Sequence, residues 1–114
     1  MDHLFIFNDS PYGNQRTYNG LRLAFALARK TKVRVFLFGD GVTAGLAGLT
    51  PAHADYNPQE ILAAIGQTGA EIAACGTCME ARGIGQEQLI PAVKRGSLDQ
   101  LVEWTEEAKK VLSF

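Results

Sequence analysis

Two cysteines, Cys75 and Cys78, share the run Cys75-Gly76-Thr77-Cys78-Met79-Glu80-Ala81-Arg82-Gly83, and the chain of 114 residues contains no others. Thiols at this spacing admit four kinds of chemistry. One thiol can act as a nucleophile or carry sulfur. The two can cycle as a thioredoxin-like dithiol, whose motif also sits near a βαβ unit. They can supply half of a zinc site. Or they can serve as small buried hydrophobes, as free cysteines often do.

The surrounding residues favour the first. Cys75 is expected to end a strand, at the carboxyl edge where open α/β sheets place their ligand crevices. Thr77 and Glu80 read as a capping box opening the next helix. Cys78 then falls at the first helical position, where free amides and the helix dipole favour thiolate over thiol. Arg82, one turn further on, adds positive charge to the same pocket. Gly76 permits a tight backbone path and lets amides turn toward an anion such as a persulfide. Zinc normally takes four ligands, and the chain has no second pair of this kind, while His3 and His53 lie far away in sequence. No metal and no cofactor is therefore expected.

Other residues carry weaker signals. His53, in a long loop, is a candidate base or proton donor to a thiol, though such a histidine is more often simply exposed. Tyr12 follows the first strand and is a candidate for the rim of the same crevice, with a packed loop aromatic as the plain alternative. Phe38-Gly39-Asp40-Gly41-Val42 has the glycines of a phosphate loop but neither GxGxxG spacing nor a P-loop lysine, so it reads as a strand-ending turn. Trp104, at helical spacing from Leu98 and Leu101, reads as core or subunit contact.

The elements that position these residues alternate between strand and helix, as in a mostly parallel sheet covered by helices. His3 to Phe7 reads as a strand, closed by turn formers from Asn8 to Gly13. Leu21, Ala24, Phe25 and Ala28 recur at helical spacing, and Leu23 with Leu27 widens the stripe enough to suggest a second surface, such as a neighbouring subunit. Lys32 to Phe38 reads as the second strand. Thr43 to Tyr56 reads as a loop with at most one helical turn. Asn57-Pro58-Gln59-Glu60 is a helix start, with Ile61, Leu62 and Ile65 facing inward and Gly66 or Gly69 as the stop. Glu71 to Cys75 is the third strand. Gln88 to Lys94 leads into a fourth, interrupted by Pro91. Ser97 and Gln100 open a last helix with Leu98, Leu101, Val102 and Thr105 on one face, and Lys109 to Phe114 closes the chain as a fifth strand.

Composition sets the outer limits. The chain is 46% hydrophobic and 20% charged, ordinary for one globular domain over residues 1–114. A domain this size buries roughly two-thirds of its unfolded surface without needing disulfides. Eleven basic and twelve acidic residues leave a net charge of -1 with no long run of either sign, which argues against nucleic acid as a partner. No apolar run approaches the ~18 residues of a membrane span. The N-terminus runs into a strand pattern rather than a signal peptide, so a cytoplasmic protein with reduced thiols is expected.

Taken together, these segments resemble the DsrE/DsrF-like family of small sulfur-relay proteins. The resemblance runs nearly end to end. It rests on Ser10-Pro11-Tyr12, on Phe38 to Val42, on Cys75-Gly76-Thr77-Cys78 leading to Arg82-Gly83, and on the closing stretches Gly96 to Leu101 and Val111 to Phe114. It implies a three-layer α/β/α sandwich with a mainly parallel five-stranded sheet, assembled as homotrimers or hexamers and exchanging sulfur with donor and acceptor proteins. In the relay members a cysteine at the end of strand 3, eight residues before the glycine of an Arg-Gly pair, accepts sulfur as a persulfide. Cys75 and Gly83 have that spacing, so the resemblance gives the carrier role to Cys75. Cys78 has no counterpart in that pattern; it either resolves a persulfide as a disulfide or marks a branch with another task. The alternative is an oligomeric binding or scaffold protein whose Cys75–Cys78 pair is redox-sensing or structural.

Overall fold

Five short strands carry the architecture: β1 (His3–Phe7), β2 (Val33–Leu37), β3 (Glu71–Cys75), β4 (Val93–Gly96) and β5 (Lys110–Ser113). In the computed structural model, which describes residues 1–53 and 55–114, all neighbouring strands run parallel in the order β4-β3-β2-β1-β5. Four helices connect them: α1 (Arg16–Ala28), α2 (Pro58–Gln67), α3 (Gly76–Ala81) and α4 (Leu98–Glu107). The steps from β1 to β4 all go one way, so right-handed crossovers put α1, α2 and α3 on one face. The return from β4 to β5 crosses the sheet and puts α4 on the other. The result is the expected three-layer α/β/α sandwich in a single compact domain.

The strands sort their side chains by alternation. Val33, Val35 and Leu37 face the α1 and α2 layer, where Leu21, Ala24, Leu62 and Ile65 are fully buried. Phe36 faces α4 and meets Trp104 edge-on at 6.2 Å, an arrangement that adds about 1 kcal/mol beyond area burial. Arg34 lies over the Trp104 ring and pairs with Glu71 and Glu107. Trp104 is thus core, as its spacing suggested. Asn57 and Ser97 accept from the amides of Glu60 and Gln100, so both helix starts sit where the sequence places them.

Three readings need correction. α4 buries Leu101 and Trp104, whereas Leu98 and Val102 are 61% and 50% exposed, because the sheet meets the helix one step around from the expected face. The fourth strand begins only at Val93, since the segment before it forms a 3-10 turn, Gln86–Gln88, and Pro91 cannot join a ladder. The helical turn allowed for between Thr43 and Tyr56 is longer and starts earlier than expected: Gly39–Gly45 is a 3-10 segment, and Leu46 bridges to Leu89.

Candidate functional site

The carboxyl ends of β2 and β3 lie side by side and bring two sequence-distant segments together. Cys75 is the last residue of β3, paired in register with Gly96 of β4, and α3 starts immediately after it. The helix therefore begins earlier than the Thr77–Glu80 capping box implied. Cys75 itself is the N-cap, its sulfur accepting from the Cys78 amide at 3.4 Å. Thr77 is the second helical residue, and Cys78 the third rather than the first. Glu80 does not close a box, because its carboxylate is taken by Arg95 of β4 at 2.7 Å.

Cys75 is 3% exposed, so burial alone pushes its thiol pKa up. Hydrogen bonds outweigh that effect. The Cys78 thiol, the Thr77 hydroxyl at 3.3 Å and the amides of Cys78 and Thr77 all favour the anionic sulfur. Cys75 therefore titrates below an ordinary cysteine. Cys78 is shifted the other way: burial, its hydrogen bond to Cys75 and the Cys75 charge all favour the thiol. The Gly39 amide, donating to the Cys78 sulfur at 3.2 Å, and the Arg82 charge oppose this without overturning it. Of the two, Cys75 is therefore the thiol that ionises first, and Cys78 is the one that keeps its proton longer.

The sign of the pH effect follows. A thiol whose pKa is depressed by folding contributes stability that is present above its unfolded pKa and lost as pH falls through the folded value. Thr77→Val removes one donor from the anion, so the first thiolate step, followed by ultraviolet absorbance, is expected at higher pH than in the parent. An unmoved midpoint would show that the Thr77 hydroxyl gives the sulfur nothing.

Arg82 stands beside Cys78, and Asp40 holds it there. Two of its guanidinium nitrogens hold Asp40 at 3.0 and 2.7 Å, and a third donates to the Cys78 carbonyl at 3.1 Å. Its charge is shared with Asp40 and bears on Cys78. Asp40 and Gly39 belong to the turn after β2, which packs against α3. Gly39 sits at φ +55°, a left-handed conformation that glycine adopts without strain. Gly76 is buried, and a Cβ there would stand 2.8 Å from the Arg95 guanidinium, so a side chain at this position would displace Arg95.

The remaining candidates lie outside the thiol cluster. His53 is exposed; its carbonyl accepts from the Tyr56 amide, and its ring makes no hydrogen bond to either sulfur. Tyr12 accepts from Gln59 of α2 at 2.9 Å and so ties the loop after β1 to α2 rather than to the cysteines. Gly39, Asp40 and Arg95, which do shape the site, carry no local signal: Gly39 is 39 positions from Cys78 and Asp40 is 42 from Arg82.

Among the described residues no helix is long and apolar enough to cross a membrane. The model of the DsrE/DsrF-like family matches residues 1–114. Protein YchN of Escherichia coli K12 is 40% identical over 114 residues, covering 97% of each chain. The MK0008 protein of Methanopyrus kandleri is 37% identical over 110 residues, 96% of this chain and 90% of that one. The crystal structure of the E. coli ychN protein covers both chains fully at a TM-score of 0.90 and 39% identity. MTH1491 of Methanobacterium thermoautotrophicum, at 13% identity and a TM-score of 0.69, shares the fold.

Proposed function

Because the chain belongs to the DsrE/DsrF-like family, we propose that it is a sulfur-relay protein that holds sulfane sulfur as a persulfide on Cys75 and passes it to a partner thiol. The observation that carries this reading is the set of donors around one sulfur. The Thr77 hydroxyl and the Cys78 amide both reach the Cys75 sulfur, and its pKa is lowered, so its thiolate is the one placed to attack a donor's outer sulfur. The same donors serve the anionic terminal sulfur of a persulfide, with Arg82 acting on the neighbouring Cys78. Cys75–S⁻ attacks R–S–SH, R–S⁻ leaves, and the acceptor thiolate later takes the outer sulfur by the same displacement. The protein's chemistry is then confined to transfer, as in a sulfurtransferase-like carrier working between donor and acceptor proteins.

The exposed Leu23, Leu98, Val102 and Val111 suit the homotrimer or hexamer that the family resemblance implies. A second reading, a redox-sensing pair, draws on the two free thiols standing three residues apart, with the Cys78 amide on the Cys75 sulfur. One experiment separates them. Reduced protein is loaded with hydrodisulfide and its intact mass followed, then an acceptor dithiol is added. Gain of one sulfur, discharged to the acceptor, supports the carrier. No gain, or loss of two hydrogens in its place, contradicts it and favours the redox pair.

A further inference from the structure

The more buried thiol of the pair is the one assigned to hold the sulfur. Cys75, the N-cap of α3, is 3% exposed, while Cys78 beside it is only half-buried. A donor larger than an inorganic sulfide chain meets Cys78 first. The Cys78 sulfur already has a donor in place for the moment it attacks: the Gly39 amide donates to it at 3.2 Å, and Arg82 donates to the carbonyl of the same residue. The turn that presents Gly39 is fixed by Asp40 and Arg82. A merely structural thiol needs none of these.

Resting on the carrier reading above, we infer that sulfane sulfur enters and leaves through Cys78, which exchanges it with Cys75 inside the protein. In the first step Cys78 hands its proton to the neighbouring Cys75 sulfur and attacks the donor: Cys78–S⁻ + R–S–SH gives Cys78–S–SH + R–S⁻. The donor's S–S bond breaks as the new one forms. In the second step the Cys75 sulfur attacks the outer sulfur of Cys78–S–SH, giving Cys75–S–SH. The Cys78 sulfur is the leaving group and takes back the proton. Sulfur and protons balance, and no reductant or oxidant is consumed. Export runs the same steps in reverse, with the acceptor thiolate in place of R–S⁻.

The test compares two donors, hydrodisulfide and glutathione persulfide, on the assembled protein. Cys78→Ser removes the entry thiol, and hydrodisulfide, small enough to reach Cys75 directly, is expected to suffer the smaller loss of loading rate of the two donors. Glutathione persulfide is expected to load it about tenfold more slowly or worse, because Cys75 must await a local opening. In Cys75→Ser, glutathione persulfide is expected to leave its sulfur on Cys78. Three results would overturn the inference: equal slowing with both donors, which makes Cys78 a modulator of Cys75 only; no slowing with either; or a Cys75–Cys78 disulfide with released hydrosulfide in the parent. Failure of the parent to load from either donor would instead remove the carrier reading, and this inference with it.

Discussion

Cys75→Ser is expected to lose persulfide storage at position 75 by about a thousandfold or more, while the protein stays folded. The loss is chemical. A serine hydroxyl is not ionised near neutral pH and cannot displace a thiolate from a persulfide, whatever donors surround it. The fold should be retained because the side chain's structural duty is to cap α3 by accepting from the Cys78 amide. Serine is one of the preferred residues for that duty, so the change in stability should stay within about 1 kcal/mol. Cys78 should also respond. Burial is the main force holding its pKa up, but the hydrogen bond to Cys75 and the Cys75 charge add to it. With both removed, Cys78 should titrate lower than in the parent. Thermal melting and thiolate absorbance on one sample separate these effects. A variant that melts like the parent and still stores sulfur at position 75 would exclude a cysteine persulfide there.

Gly41→Ala is expected to be the costliest single-methyl change near the site. A Cβ at Gly41 would fall 2.7 Å from the Phe7 carbonyl carbon and well inside contact distance of its oxygen. Both obstacles are backbone at the end of β1, and Phe7 is fully buried, so no side chain can swing aside. The turn or the strand must shift, which costs about 3 kcal/mol and lowers the melting temperature by roughly 15 °C. Function should fall with it, since the same turn aims the Gly39 amide at Cys78 and places Asp40 against Arg82. Gly48→Ala is the control. Gly48, unlike Gly41, has a positive φ, +79°, and open space where the Cβ would go, so backbone strain alone should cost about 1 kcal/mol. Equal melting of the two variants would mean that the approach of the turn to β1 is not tight in solution.

Much of this arrangement is legible in the sequence, and the exceptions have one cause. β1 and β3 have the bounds that their apolar runs and flanking turn formers indicate. The starts of α2 and α4 are read correctly because an Asn or Ser cap acts on an amide three residues away, a local event. The start of α3 is misread because Thr77 and Glu80 imitate such a cap. The better acceptor is a thiol, rarely chosen for capping, and Glu80 is drawn off by Arg95 from a neighbouring strand. Gly39 and Asp40 read as a strand-ending turn within a segment of the family resemblance, with no role at the thiols. Their role exists only because β2 and β3 are adjacent and end together. On α4, Leu98 and Val102 are apolar by type yet exposed, while Trp104 takes the buried position. Residue type indicates which side chains can be buried, but the sheet's position decides which face is used.

The most direct test of the central claim is to map the sulfur. Reduced parent protein is exposed briefly to hydrodisulfide, trapped by alkylation, and digested so that Cys75 and Cys78 fall in fragments whose masses distinguish them. The account predicts one added sulfur, resident on Cys75. Sulfur resting on Cys78 alone, or both residues joined in a disulfide with no added sulfur, would contradict it.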